Sequence, residues 1–168
     1  TQALADWFAL LKWNPALASP RIESAEKMNL GILGTPGSMR AVKSFLLMSL
    51  LFQDHIGKVT VISEMADPFG EDVIQSLTDA NIDYEVSNDV REHLPELDVI
   101  YMNSIAFFGD SYKNMDSRFK LNSESPIKES AVILHPLARL DELDTSLDKT
   151  PHNLYFSQAH GAVFIRQA

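Results

Sequence analysis

The 168 residues carry 45% hydrophobic and 22% charged side chains, the balance of one ordinary globular domain, and a net charge of −9. That charge, with no basic run, disfavours nucleic acid and anionic membrane surfaces as partners, and no apolar stretch nears the roughly 18 residues of a membrane span. Cysteine is absent, which removes disulfides, thiolate catalysis and cysteine-held zinc and suits a cytoplasmic protein.

Leu4, Trp7, Phe8 and Leu11 give a helical stripe from Gln2 to Trp13, ended by Asn14-Pro15. Met28 to Gly34 reads as a buried strand, and Ser38 to Gln53 as a long helix carrying Val42, Phe45, Leu46, Leu50 and Phe52. Lys58 to Ser63 is a second β-rich strand, and Gly70 to Asn81 a helix through Val73, Ile74 and Leu77. Ile82 to Val86 alternates apolar and polar residues, which suits a strand near the sheet edge, and Val90 to Leu94 makes a short helical turn. Asp98 to Met102 and Ala131 to Leu134 are buried strands. Between these two lies a polar stretch too long for a plain connection, which predicts a functional loop with short helical pieces. Asp148 to His152 predicts a helix-initiating turn with Pro151 near the first helical position, and Phe45, Phe52, Phe156 and Phe164 are expected in the core.

Strand–helix alternation of this kind predicts an α/β fold, a Rossmann-like three-layer sandwich with a mainly parallel sheet of about five strands. Ligands of such sheets collect at the carboxyl ends of the strands. Gly34-Thr35-Pro36-Gly37-Ser38-Met39-Arg40 joins a strand to a helix, yet lacks the GxGxxG spacing of a dinucleotide site and the Gly-Lys-Ser/Thr of a P-loop. His135-Pro136 follows a buried strand directly, and His135 reads as a buried, hydrogen-bonded histidine that shapes the turn. His55, His93 and His152 have no metal-ligand spacing. Asp141, Glu142 and Asp144 read as a solvated or salt-bridged acidic loop, and Arg166 as the partner of a core carboxylate.

The tail His135-Pro136-Leu137-Ala138-Arg139-Leu140-Asp141-Glu142-Leu143, then Asp148-Lys149-Thr150-Pro151-His152, then Tyr155-Phe156-Ser157-Gln158-Ala159, closes on Arg166-Gln167-Ala168. In that order it resembles the aspartate carbamoyltransferase family (the aspartate/ornithine transcarbamoylases), whose tail reads HPLPRxDEI, DKTPHxxYFxQA and RQA. Thr1-Gln2 resembles the second half of the family's HPTQ motif, and Asp98 to Ala106 its strand ending in DILYMTRxQ. The resemblance implies that residues 1–168 are the amino-acid-binding domain of a transcarbamoylase, the carbamoyl-phosphate domain with its STRT-type loop being absent from this chain. The implied reaction is transfer of a carbamoyl group from carbamoyl phosphate to the amine of aspartate, in pyrimidine biosynthesis. It implies no cofactor, no metal and a homo-oligomer, a trimer, in which this domain alone does not turn over.

Residue by residue, the resemblance gives Gln2 and Leu137 as catalytic candidates: Gln2 toward the carbamoyl group, Leu137 through its backbone. It places Arg40 on an arginine that helps hold the amino-acid carboxylates, and Ala138 on the proline of a Leu-Pro bond. Ser104 stands where the family has the arginine that clamps the aspartate side chain, and Ala106 where it has the assisting glutamine. A hydroxyl cannot supply a planar, bidentate, permanently charged contact, so Arg139 and Lys113 become candidates for the missing cation. These departures keep two alternatives open, a transcarbamoylase for a different amine acceptor and a non-catalytic paralogue that keeps the fold.

Overall fold

The computed structural model of the chain describes residues 1–19, 27–103 and 117–168. Its centre is a five-stranded, wholly parallel sheet: β1 (Met28–Leu33), β2 (Ile56–Ile62), β3 (Asp83–Ser87), β4 (Val99–Met102) and β5 (Val132–Leu134), in the order β3-β2-β1-β4-β5. The helices are α1 (Gln2–Trp13), α2 (Arg40–Ser49), α3 (Glu71–Asp79) and α4 (Tyr155–Gln167). The three-layer α/β expectation holds.

The central strands are buried on both faces, which is why they read as nearly continuous apolar runs. Leu30 and Ile32 of β1, Val99 and Tyr101 of β4 and Val132 and Leu134 of β5 face α1 and α2. Leu33, Ile100, Met102 and Ile133 face the opposite way. Among the described residues of that second face, Val90, Leu94, Leu97, Phe119, Leu121, Leu143 and Leu147 add to the core from short turns and loops, and Tyr155 from the start of α4. β3 is the edge strand that its alternation predicts, with Tyr84 and Val86 partly open to solvent.

Three local expectations are corrected. The inward face of α1 is Ala5, Asp6, Trp7, Ala9 and Leu10, while Leu4 and Phe8 lie outward. The long helix stops at Ser49 and continues as a 3-10 turn over Leu50–His55, where Phe52 leaves helical geometry and stacks flat on Trp7 at 3.9 Å. The last helix begins at Tyr155, not near Pro151, and Phe156, Phe164 and Arg166 are exposed on it. α4 faces inward instead with Tyr155, Gln158, Gly161 and Ala162, because a glycine at 161 lets α1 come close: an added Cβ would meet the Phe8 ring at 2.8 Å.

Candidate functional site

Because every strand runs the same way, the loops that follow β1, β4 and β5 emerge at one edge of the sheet. The first is the Gly34–Arg40 turn. Gly34 holds φ +140, a conformation that side chains with a Cβ rarely adopt, and Gly37 donates its N–H to the Pro68 carbonyl at 2.8 Å. Thr35 and Ser63 share a hydrogen bond between their hydroxyls at 3.1 Å. Arg40 opens α2, is exposed, and pairs with no described residue. After β4, Asn103 donates its backbone N–H to the Leu33 carbonyl at 3.3 Å. Ser104, Ala106 and Lys113 lie outside the described residues.

The loop after β5 is built on His135, which is 1% exposed. Its Nδ1 accepts the Leu137 N–H at 2.9 Å, so the ring proton sits on Nε2 and is donated to Glu142 Oε1 at 2.8 Å. Leu140 N–H reaches the same oxygen at 2.9 Å. Imidazole and carboxylate thus bind the two ends of the loop 137–140 from beneath. Within it, Leu137 has φ 52 and the Leu137–Ala138 peptide is cis. Glu142 is fully buried, so of the two expectations for this acidic loop it meets pairing and not solvation: the glutamate turns inward because the histidine and the loop amide supply its donors.

Arg139, in the same loop, is held by another carboxylate. Its guanidinium forms a two-pronged pair with Asp148, Nη2 to Oδ2 at 2.8 Å and Nη1 to Oδ1, while Tyr155 donates its hydroxyl to Asp148 at 2.6 Å. The arginine and the phenol together hold the Asp148 carboxyl down at about 2.

Gln2 reaches the same loop through a chain of hydrogen bonds, buried in the middle and part-buried at both ends. Gln2 Nε2 and Gln158 Nε2 both donate to Asp6 Oδ1, at 2.7 and 2.6 Å. The other end of Gln158, Oε1, accepts the His135 N–H at 2.8 Å. Asp6 is fully buried, and burial pushes its carboxyl up to about 6 against the opposing effect of these donors. The Tyr101 hydroxyl lies near enough to favour the carboxylate, although no hydrogen bond forms between them.

The geometry therefore joins Gln2, Leu137 and Ala138, leaves Arg40 exposed at the turn after β1, and commits Arg139 to Asp148. Asp6, Gln158 and Glu142 are the buried, bonded neighbours of these candidates that sequence reasoning missed. One signal was available: a carboxylate four residues after Gln2, on the same helical face as Trp7 and Leu10. Among the described residues no group of three histidine, aspartate or glutamate side chains is placed to hold a metal ion.

No family model matches the chain. Over 101 residues, 57% of its length, it is 37% identical to the aspartate carbamoyltransferase catalytic subunits of Aliivibrio fischeri and Aliivibrio salmonicida. The match spans 33% of each of those relatives. Among solved structures it superposes on aspartate transcarbamoylase from Trypanosoma cruzi in complex with carbamoyl aspartate and phosphate, with TM-score 0.78 and 21% identity, covering 98% of this chain and 51% of that one. The catalytic subunit of M. jannaschii aspartate transcarbamoylase gives TM-score 0.79 at 20% identity, over 98% of this chain and 52% of the other. The chain thus spans about half the length of these solved relatives and shares their fold.

Proposed function

We propose that this chain, a relative of the aspartate/ornithine transcarbamoylases, is the amino-acid-binding half of an aspartate carbamoyltransferase acting in pyrimidine biosynthesis. The observation that carries the reading is the bonded path from Gln2 through Asp6, Gln158 and His135 to Leu137. It ties the two segments that would touch the carbamoyl donor and the incoming amine into one hydrogen-bonded unit.

In the proposed reaction the amine nitrogen attacks the carbonyl carbon of carbamoyl phosphate, a C–N bond forms, and the C–O bond to phosphate breaks. Phosphate leaves with the electron pair and takes up the proton that the amine gives up. Gln2 holds the carbamoyl group, the Leu137 carbonyl oxygen accepts a hydrogen bond from the amine, and Arg40 receives a carboxylate of the amino acid. Acceleration comes from placing two reactants together and from donors around the polarised carbonyl, with no covalent intermediate. The groups that bind phosphate lie outside these 168 residues, and the working form is an oligomer, a trimer on the family resemblance.

A second reading concerns the acceptor. Ser104 occupies the clamp position in sequence, and Arg139 is already paired with Asp148. Among the described residues Arg40 is then the cation left to meet a carboxylate at this edge, which favours an amine with fewer carboxylates than aspartate. Steady-state kinetics on the full-length protein separate the readings. If aspartate is the acceptor, wild type has weak apparent affinity for it, and Ser104→Arg with Ala106→Gln improves kcat/KM by about tenfold or more. Activity confined to another amine establishes the second reading. No transfer by either protein, with any amine, leaves a non-catalytic paralogue.

A further inference from the structure

We propose that Asp6 is a positioning residue that fixes which way the Gln2 amide faces and, through Gln158, where the Leu137 loop sits. This rests on the carbamoyltransferase reading above and adds to it the residue that sets the polarity of the site.

An ionised carboxylate only accepts, so an amide bonded to it must present its NH2 group. Asp6 Oδ1 takes both Gln2 Nε2 and Gln158 Nε2. Neither side chain can flip without setting an amide oxygen against a carboxylate oxygen. Gln2 is only half-buried, and with its NH2 turned inward its Oε1 is the atom left to face a ligand. It is therefore an acceptor, and it suits a ligand that offers a donor there. The NH2 group of carbamoyl phosphate is such a donor, whereas the phosphate oxygens would be repelled.

The same choice propagates through Gln158. With its NH2 on Asp6, its Oε1 meets the His135 N–H, and that backbone amide lies directly before the loop held by the ring. Two carboxylates, Asp6 and Glu142, thus terminate the path at either end, and every bond between them has a single permitted direction. Among the described residues the titratable group facing Asp6 is the Tyr101 hydroxyl from β4; α1 and α4 contribute the neutral Gln2 and Gln158. His135 and Glu142 lie beyond Gln158.

The test uses full-length protein with two substitutions at one site. Asp6→Leu matches the size of the side chain and removes the acceptor. Asp6→Asn keeps an acceptor oxygen for both amides and can turn its own NH2 toward Tyr101. Asp6→Leu is expected to raise KM for carbamoyl phosphate about tenfold, the effect of one misplaced hydrogen bond, with a smaller change in KM for the acceptor amine. Asp6→Asn is expected to restore most of it. Equal kinetics in wild type and Asp6→Leu, or Asp6→Asn failing as badly as Asp6→Leu, overturns the proposal.

A second measurement stands apart from activity. The side-chain NH2 resonances of Gln2 and Gln158 should shift together through one transition near pH 6 in wild type and stay flat in Asp6→Asn. If the full-length protein transfers no carbamoyl group, the proposed function fails, and this titration alone decides whether Asp6 orients the two amides. Independent or absent titration of the two groups refutes that orientation.

Discussion

Burial moves the Asp6 carboxyl from 3.8 to about 6, so between those pH values the folded chain keeps a proton that the unfolded chain has released. A raised carboxylate contributes stability at low pH and loses it as pH rises through the folded value. About two pH units at 1.36 kcal/mol each give a loss of about 3 kcal/mol from pH 4 to above pH 6. Asp6→Asn, which cannot ionise, should flatten urea-unfolding free energies across that window; an unchanged slope would place the titration elsewhere. Asp148 runs the other way. Arg139 and Tyr155 hold it near 2, so its contribution is present at neutral pH and is lost as pH falls from 4 through 2. Asp148→Asn should weaken the chain at pH 7 and leave it less sensitive below pH 4, as acid titration of its near-UV circular dichroism would show. The His135 turn was legible in sequence, since a histidine between a buried strand and a proline has few ways to face. Asp6 and Gln158 were not, because their bond spans 152 positions and nothing local marks it. Glu142 was legible only in part: a pairing was one of the two expectations for its acidic loop, yet nothing local marked His135 as the partner or the site as buried.

Strands and helices differed in how plainly the chain announced them. The inner strands are apolar on both faces, so their cores were visible and only their ends moved by a residue or two. Helix ends were set by distant side chains. Phe52 abandons the helix to stack on Trp7, a partner 45 places earlier, and Asp148 is drawn into Arg139 rather than opening α4. Packing between elements also explains Gly31 in the middle of β1. A Cβ there would lie 2.3 Å from Leu97 Cδ1, and β2 and β4 hold the strand from both sides. Gly31→Ala should therefore lower stability by about 1–3 kcal/mol, the usual cost of overpacking, read as a lower thermal midpoint. A melting temperature equal to wild type would mean that Leu97 swings aside freely.

For the whole molecule, strand–helix alternation was enough to specify a parallel sheet, and the parallel sheet alone determines which loops share an edge. What the pattern could not supply was how the two outer helices close on that edge. The His135 amide follows the last residue of β5, and its acceptor is a side chain on α4 rather than the backbone of another strand. Its protection from hydrogen exchange therefore reports how tightly α4 is attached, not how stable the sheet is. α4 carries Phe156, Val163 and Phe164 toward solvent and buries few residues, the profile of a segment that opens before the rest. The His135 amide should exchange at the rate of the Gly161 and Ala162 amides and well ahead of Ile32 in the central strand, and Gln158→Leu should accelerate it further without touching Ile32. Exchange of His135 in step with Ile32 would mean that helix and sheet come apart only together. If it is faster, the loop that carries Leu137 is loosened each time α4 lifts, and α4 becomes the slow clasp that governs how long the site stays assembled.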